Sequence, residues 1–267
     1  MPAHAAHLTS DSDINALLQE LLSNAQIILG NHFVGMYLYG SLASGDFNPE
    51  RSDIDFVVVT ADNLPGETIS ALKAMHTRLA AGGSMWATRL EGDYIPRYAL
   101  RCYDPTQARY PHLGVDGHFD VEQHESDGVI QRHLLRVEGI VVVGPAPQTL
   151  IDPVLPNDLR RAVLGTLRGW WSPMLHDSIR LRSREYQAYA ALTMCRALYT
   201  LQHGTVVSKT VAARWAQQSL GELWIALIER ALAWPRDPQQ DKMNETLDLI
   251  RYTLERSQQF EIPTDST

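Results

Sequence analysis

Cysteine is scarce in this chain, whose 267 residues include only Cys102 and Cys195. Two isolated cysteines form neither a disulfide framework nor a zinc-ligand pattern, so we expect a reducing, cytoplasmic compartment. The sequence also lacks any run of about 18 apolar residues, and its first residues show no basic segment leading into an apolar stretch. We therefore expect neither a membrane-spanning helix nor a secretion signal.

Basic residues are also in deficit, with 23 lysines and arginines against 31 acidic residues and a net charge of −8. A negative surface repels a phosphate backbone and attracts polycations. We therefore expect no nucleic-acid partner.

The pattern of apolar residues changes near Pro145. Before it, helical stripes alternate with short apolar runs typical of strands, and after it long stripes of helical period follow one another. The sequence therefore predicts an α/β pattern in the first half and an α-helical bundle in the second, with a boundary between about 145 and 155. The stretch 102–127, which contains several prolines and glycines, is predicted to be rich in loops.

The individual elements follow from the same periodicities. Strands are predicted over 34–39, 54–60, 86–95 and 139–143. Helices are predicted over 10–30, 65–81, 129–135, 156–171, 183–203, 208–219, 222–234 and 239–258.

The most informative motif joins two predicted strands. One strand ends at Gly40 and Ser41, and the next opens with Asp53 and Asp55, whose side chains share one face because residues alternate along a strand. Two adjacent carboxylates repel unless a cation neutralises them, and their hard oxygens suit Mg²⁺. The Gly-Ser turn offers backbone N–H groups and a hydroxyl to phosphate oxygens. The alternative is that the aspartates only form an exposed turn before a strand.

This motif, an apolar residue, Gly-Ser, a spacer of this length and Asp-x-Asp, resembles the signature of the DNA polymerase β-like nucleotidyltransferase superfamily. In the second half, the segments 191–199 and 204–216 extend the resemblance to the streptomycin/spectinomycin (aminoglycoside) adenylyltransferase family. The likeness covers most of the chain and is poorest over 102–127. It implies an α+β fold, with an N-terminal polymerase β-like nucleotidyltransferase domain built on a mixed sheet over residues 1–150. A C-terminal α-helical bundle over residues 151–267 completes the cleft for ATP and the acceptor.

The resemblance also implies the chemistry, which is transfer of AMP from ATP to a hydroxyl of an aminoglycoside-like, cationic small molecule, and with it antibiotic resistance. By the family's pattern Asp53 and Asp55 hold Mg²⁺, with two ions expected, and Glu91 is the catalytic base. A general base fits because the hydroxyl must lose its proton as it attacks phosphorus. Asp93, on the same face of the predicted strand, is the rival candidate.

Two basic residues of the second half complete the implied nucleotide site. The resemblance makes Lys209 a ligand of the triphosphate and Arg196 a second one, although amphipathic helices usually carry solvated basic residues as well. The sequence departs from the family at Arg184-Glu185-Tyr186, where relatives have an acidic pair. This departure argues against streptomycin itself as the acceptor, unless Glu185 takes over the role of the acidic pair.

Two other functions compete with this one. A modifier of protein or RNA is suggested by Arg196 and His203, which are separated by six residues as in some small nucleotidyltransferases. A nucleotide-binding regulator without turnover is the other, but the intact Gly-Ser, Asp-x-Asp and Glu set argues against it.

His118, His124 and His133 show no metal-ligand spacing. The oligomeric state stays open, with a monomer favoured.

Overall fold

The computed structural model describes residues 8–235 and 242–260, which form two compact units. The first unit runs to His124 and includes Gln131–Pro153, and the second combines Glu125–Ile130 with the chain from Val154 onward. The division at Pro153 lies near the predicted boundary at residue 150. The segment Glu125–Ile130, which was predicted to be in the first domain, belongs to the second unit. In the second unit the Ser126 hydroxyl donates a hydrogen bond to the carbonyl oxygen of Ala162, 3.1 Å away.

One six-stranded sheet forms the centre of the first unit, in the order β5-β4-β3-β2-β1-β6. The central strands β2 and β3 are parallel, and every other neighbouring pair is antiparallel. The predicted mixed sheet is thus confirmed. The strands are β1 (Phe33–Leu38), β2 (Ile54–Thr60), β3 (Leu90–Pro96), β4 (Arg109–Leu113), β5 (Phe119–Gln123) and β6 (Ile140–Val143).

Helices accompany the sheet of this unit. Asp11 caps the first of them by accepting hydrogen bonds from the backbone N–H groups of Asp13 and Ile14, at 2.8 and 3.1 Å. The helices are α1 (Ser12–Leu29), α2 (Gly40–Ser44), α3 (Gly66–Ala81), α4 (Arg97–Arg101), α5 (Gly128–Glu138), which begins in the second unit, and α6 (Pro147–Leu150).

Both faces of β2 are covered by apolar side chains, which explains its almost continuous apolar sequence. Ile54, Phe56 and Val58 belong to the core that includes α1 and α3. Val57 and Val59 belong to a second core, on the opposite face, that includes residues of α4, α5 and α6. The central strands are therefore rigidly held, and a polar side chain at their ends has a well-defined position.

The stretch 102–127, predicted to be rich in loops, contains the hairpin of β4 and β5, which the sequence pattern did not predict. Tyr110, Leu113 and Phe119 are buried in it. The hairpin turns through Gly117, whose φ of 77° suits glycine, and the backbone N–H of Gly114 bonds to the carbonyl oxygen of His118 at 2.9 Å. Its glycines mark one tight turn, so their density does not indicate a long loop.

The second unit is a helical bundle around α8, and within its described residues it has no strand. Ala212, Ala213 and Ala216, all fully buried, let α9 approach α8 closely. The start of the helix predicted over 239–258 falls outside the described residues. The helices are α7 (Pro156–Thr166), which continues as a π turn over Leu167–Trp171, α8 (Arg184–His203), α9 (Lys209–Ser219), α10 (Ile225–Ala233) and α11 (Met243–Ser257).

Among the described helices, none combines the length and the apolar character that crossing a membrane requires.

A buried histidine in the core, His76, makes the stability of the fold depend on pH. His76 is 5% exposed, packs against the rings of Phe56 and Phe119, and lies 2.7 Å from the Tyr94 hydroxyl through its Nε2. Burial lowers the pKa of His76 from 6.5 to about 4. Between these two pH values the His76 imidazole is therefore protonated in the unfolded chain and neutral in the folded chain.

We predict that the free energy of unfolding falls as the pH is lowered from 6.5 through about 4, with His76 contributing a loss on the order of 3 kcal/mol. Denaturant titrations of the parent chain and of His76→Gln over this range measure the difference. His76→Gln keeps a polar side chain without the titration and should show the shallower pH dependence. Equal slopes for the two proteins would contradict the prediction.

Candidate active site

Acidic side chains gather on one face of the parallel pair β2 and β3. The register places Asp55 directly opposite Glu91 and places Val57 opposite Asp93. Because alternate residues of a strand share a face, Asp55, Glu91 and Asp93 lie on the same side of the sheet. Asp55 and Glu91 are half-buried, whereas the side chain of Asp93 is only 3% exposed.

The turn at Gly40 lies against Asp55. Gly40 begins α2 with a φ of 65°, and a Cβ at this position would come 2.0 Å from Oδ2 of Asp55. The backbone N–H of Tyr39 also donates to the carbonyl oxygen of Asp55, at 3.2 Å. Only glycine therefore allows both this backbone conformation and the close approach of the Asp55 carboxylate.

A hydrogen-bonded turn leads from α2 to Asp53. The carbonyl oxygen of Asn48 accepts from the backbone N–H groups of Arg51 and Ser52, and the Ser52 hydroxyl accepts from the backbone N–H of Asn48 at 2.9 Å. The Arg89 guanidinium donates to the carbonyl oxygen of Pro49 at 2.6 Å. These bonds place Asp53, which is half-buried, immediately before β2.

The pKa of the Tyr39 hydroxyl reflects the combined negative charge of the nearby carboxylates. Burial and the negative charges of Asp55, Asp93 and Glu91 raise the pKa of Tyr39 well above its ordinary value. Its hydroxyl accepts a hydrogen bond from Nε2 of Gln131 at 3.0 Å. The sequence pattern of the Gly-Ser motif does not identify Tyr39 as part of the site, although it is the residue before Gly40.

Asp93 has a different environment from Glu91. Its Oδ1 lies 2.8 Å from Nδ1 of His112, and its Oδ2 accepts a hydrogen bond of 2.5 Å from Gln131. Burial opposes ionisation, but the hydrogen bond with His112, the charges of His124 and His112 and the hydrogen bond from Gln131 outweigh it and lower the pKa of Asp93. The sequence offered no spacing signal for this contact of Asp93 with His112 and His124.

The two basic residues singled out by the sequence lie in the second unit. Lys209 is the first residue of α9, after the cap residue Ser208, and its Nζ lies 4.3 Å from the centroid of the Tyr189 ring. Arg196 follows Tyr189 by seven residues on α8, so the two share one side of that helix about two turns apart. Both cations are half-buried, and the Lys209 ammonium group on α9 lies over the Tyr189 ring on the side of α8 that also carries Arg196.

Two family models match this chain. The model described as "Nucleotidyltransferase domain" matches residues 17–104, which include the Gly40 turn, Asp53, Asp55 and Glu91. The model described as "Aminoglycoside adenylyltransferase, C-terminal domain" matches residues 149–258, which include Arg196 and Lys209.

Curated relatives match along most of their length. An aminoglycoside (3'') (9) adenylyltransferase of Escherichia coli is 26% identical over 248 residues, which cover 90% of this chain and 91% of the relative. A spectinomycin 9-adenylyltransferase of Staphylococcus aureus is 28% identical over 224 residues, covering 80% and 82%.

Solved structures with the same fold include a relative with bound ligands. It is a spectinomycin adenyltransferase from Enterococcus faecialis with ATP and spectinomycin, with a TM-score of 0.73, 16% identity and coverage of 90% of this chain and 99% of the other. This likeness confirms the predicted α+β fold class.

We predict that Gly40→Ala displaces the Asp55 carboxylate and weakens Mg²⁺ binding roughly 10- to 100-fold, as changes in the support of a metal ligand do. Gly45→Ala is the matched control, because Gly45 has a similar φ of 73° and nothing within 4 Å of the added Cβ. Calorimetric Mg²⁺ titration of both variants tests this. Equal Mg²⁺ affinities of Gly40→Ala and Gly45→Ala would contradict the prediction, because the contact of the added Cβ with Asp55 would then have no effect on Mg²⁺ binding.

Proposed function

We propose that this chain, as a member of the streptomycin/spectinomycin (aminoglycoside) adenylyltransferase-like family of polymerase β-like nucleotidyltransferases, transfers AMP from Mg·ATP to a hydroxyl of an aminoglycoside-like cationic molecule. The observation that carries the proposal is the pairing of Asp55 with Glu91 across β2 and β3, beside the Gly40 turn. It brings a metal-binding carboxylate and a proton acceptor together on one rigid face.

Asp53 and Asp55 suit a hard divalent metal. Both carboxylates are half-buried, and Gly40 leaves room for the Asp55 oxygen beside a turn that offers backbone N–H groups. We propose that the pair binds Mg²⁺, with two ions expected from the family. When bound, the metal neutralises phosphate oxygens.

Glu91 is the better candidate for the base. Asp93 already engages both of its oxygens, with His112 and Gln131, while Glu91 lies opposite Asp55 and is half-buried. In the proposed reaction, Glu91 takes the proton of the acceptor hydroxyl as the hydroxyl oxygen attacks the α-phosphorus. The bond from the α-phosphorus to the bridging oxygen breaks, and pyrophosphate leaves with that oxygen.

The triphosphate needs further donors besides the metal. Gly40 and Ser41, at the start of α2, offer a backbone N–H and a hydroxyl. We propose Lys209 and Arg196 as its cationic ligands, because the family model for the C-terminal domain covers both and because Lys209 contacts Tyr189 on the side of α8 that carries Arg196. Ammonium and guanidinium groups both suit phosphate oxygens.

The acceptor is proposed to be cationic. The net charge of −8 favours a positively charged substrate over a nucleic acid, and the relatives are named for aminoglycosides and spectinomycin. The alternative based on Arg196 and His203 has less support, because the His203 ring packs against the rings of Tyr199 and Trp215, at 4.4 and 5.6 Å. His203 is exposed, and these contacts join it to aromatic neighbours on α8 and α9.

Incubation of the chain with Mg·ATP and a panel of aminoglycosides, including spectinomycin and streptomycin, tests the reaction. We expect one acceptor to gain the mass of one AMP with release of pyrophosphate, and we expect Asp53→Asn and Asp55→Asn to abolish both. Purified protein and RNA serve as alternative acceptors. Labelling of protein or RNA with no adduct on any aminoglycoside would overturn the proposal.

We predict that Glu91→Gln lowers turnover roughly 100-fold or more while Mg·ATP binding is kept, because only the proton acceptor is lost. Single-turnover kinetics and ATP titration separate the two effects. Asp93→Asn is the comparison variant, since Asp93 lies on the same face of β3. If Asp93→Asn lost the activity and Glu91→Gln were mild, Asp93 would be the base.

We predict that Lys209→Ala weakens ATP binding roughly 10- to 100-fold and changes acceptor affinity less, because a charge-assisted contact to phosphate is worth about 1.5–3 kcal/mol. Lys242→Ala is the matched control, as Lys242 also lies in the second unit and pairs with Glu245. Calorimetric titration with ATP measures both. Unchanged ATP affinity in Lys209→Ala would remove this residue from the nucleotide site.

A further inference from the structure

Two histidines and an aspartate converge in the first unit, outside the pair Asp53 and Asp55. Asp93 on β3 lies opposite His112 on β4 in the register of the sheet. His124 directly follows β5, where its backbone N–H donates to the carbonyl oxygen of Ala108 at 2.7 Å. Three separate segments of the chain thus supply the cluster.

The spacing of the three side chains suits a single ion. Oδ1 of Asp93 lies 2.8 Å from Nδ1 of His112 and 3.5 Å from Nε2 of His124, and one ligand atom from each residue lies within 4.8 Å of the others. Ligands of a tetrahedral ion with bonds of about 2.0–2.1 Å are roughly 3.3 Å apart. Side-chain rotations on the order of 1 Å, with a metal ion replacing the proton shared by Nδ1 of His112 and Oδ1 of Asp93, would therefore bring all three atoms to bonding distance.

The surroundings hold these side chains in place. Gln131 donates to Oδ2 of Asp93, which leaves Oδ1 facing the histidines. The ring of Tyr110 stacks on His124 with centroids 4.0 Å apart and an interplanar angle of 14°. Neighbouring groups that fix the orientation of the ligand side chains contribute to the affinity for a metal ion. The side chains of Asp93, His112 and His124 are 3%, 19% and 15% exposed, so a bound ion would be shielded but reachable.

We propose that Asp93, His112 and His124 bind one transition-metal dication of the Zn²⁺ class, at a site distinct from Asp53 and Asp55. Two imidazoles and one carboxylate favour such an ion over Mg²⁺, which prefers oxygen ligands alone. Three protein ligands leave a fourth position for water. The ion ties the β4–β5 hairpin to β3, and so it stabilises the fold of the first unit.

Co²⁺ titration of the full chain, in the presence of excess Mg²⁺ to occupy hard sites, tests the proposal. We expect a visible absorption band of a four-coordinate ion that saturates at one equivalent, is displaced by Zn²⁺, and accompanies a rise in the melting temperature. Because the readout is metal binding, it does not depend on AMP transfer, and its failure would leave the proposed function untouched.

Two variants and a control locate the ion. His112→Asn and His124→Gln should each weaken Co²⁺ binding roughly tenfold or more, and circular dichroism checks that each remains folded. His118→Asn, an exposed histidine between β4 and β5, should bind Co²⁺ as the parent chain does. The proposal is overturned if no band forms in the parent chain, or if the band persists unchanged in both His112→Asn and His124→Gln.

Discussion

The rest of the site depends on mutual repulsion between carboxylates that the sheet holds close together. Asp55, Glu91 and Asp93 share one face of two central strands, whose apolar side chains are packed on both faces. The strands cannot separate the charges without giving up that packing. Each charge must therefore be compensated locally, by a cation, a proton or hydrogen-bond donors.

The three carboxylates are compensated in different ways, and this difference suggests a division of roles. Asp93 is nearly buried and held by His112 and Gln131, which lower its pKa and occupy its oxygens. Asp55 lies against the Gly40 turn, where a cation and phosphate oxygens can approach. Glu91 lies between them in the register. Pairs of acidic groups in unlike environments are a common basis for separate metal-binding and proton-transfer roles.

With the proposed second metal site, the first unit would bind a hard cation at one place and a softer transition-metal ion at another. Oxygen ligands at Asp53 and Asp55 favour Mg²⁺, and the imidazoles of His112 and His124 favour Zn²⁺. Asp93 is only two residues beyond Glu91, roughly 6.6 Å along the strand. The charge state of the Asp93 cluster therefore acts electrostatically on Glu91, as it does on Tyr39.

Local periodicity in the sequence determined most of the helices and the central strands, because these depend on residues close together in the chain. Proline and glycine misled the prediction over β4 and β5, where they mark one hairpin turn. Only the tertiary structure joined Asp93 to His112, 19 residues away, and to His124. The register of β3, β4 and β5 decides that contact, and strand register depends on packing between distant segments, which no spacing in the sequence records.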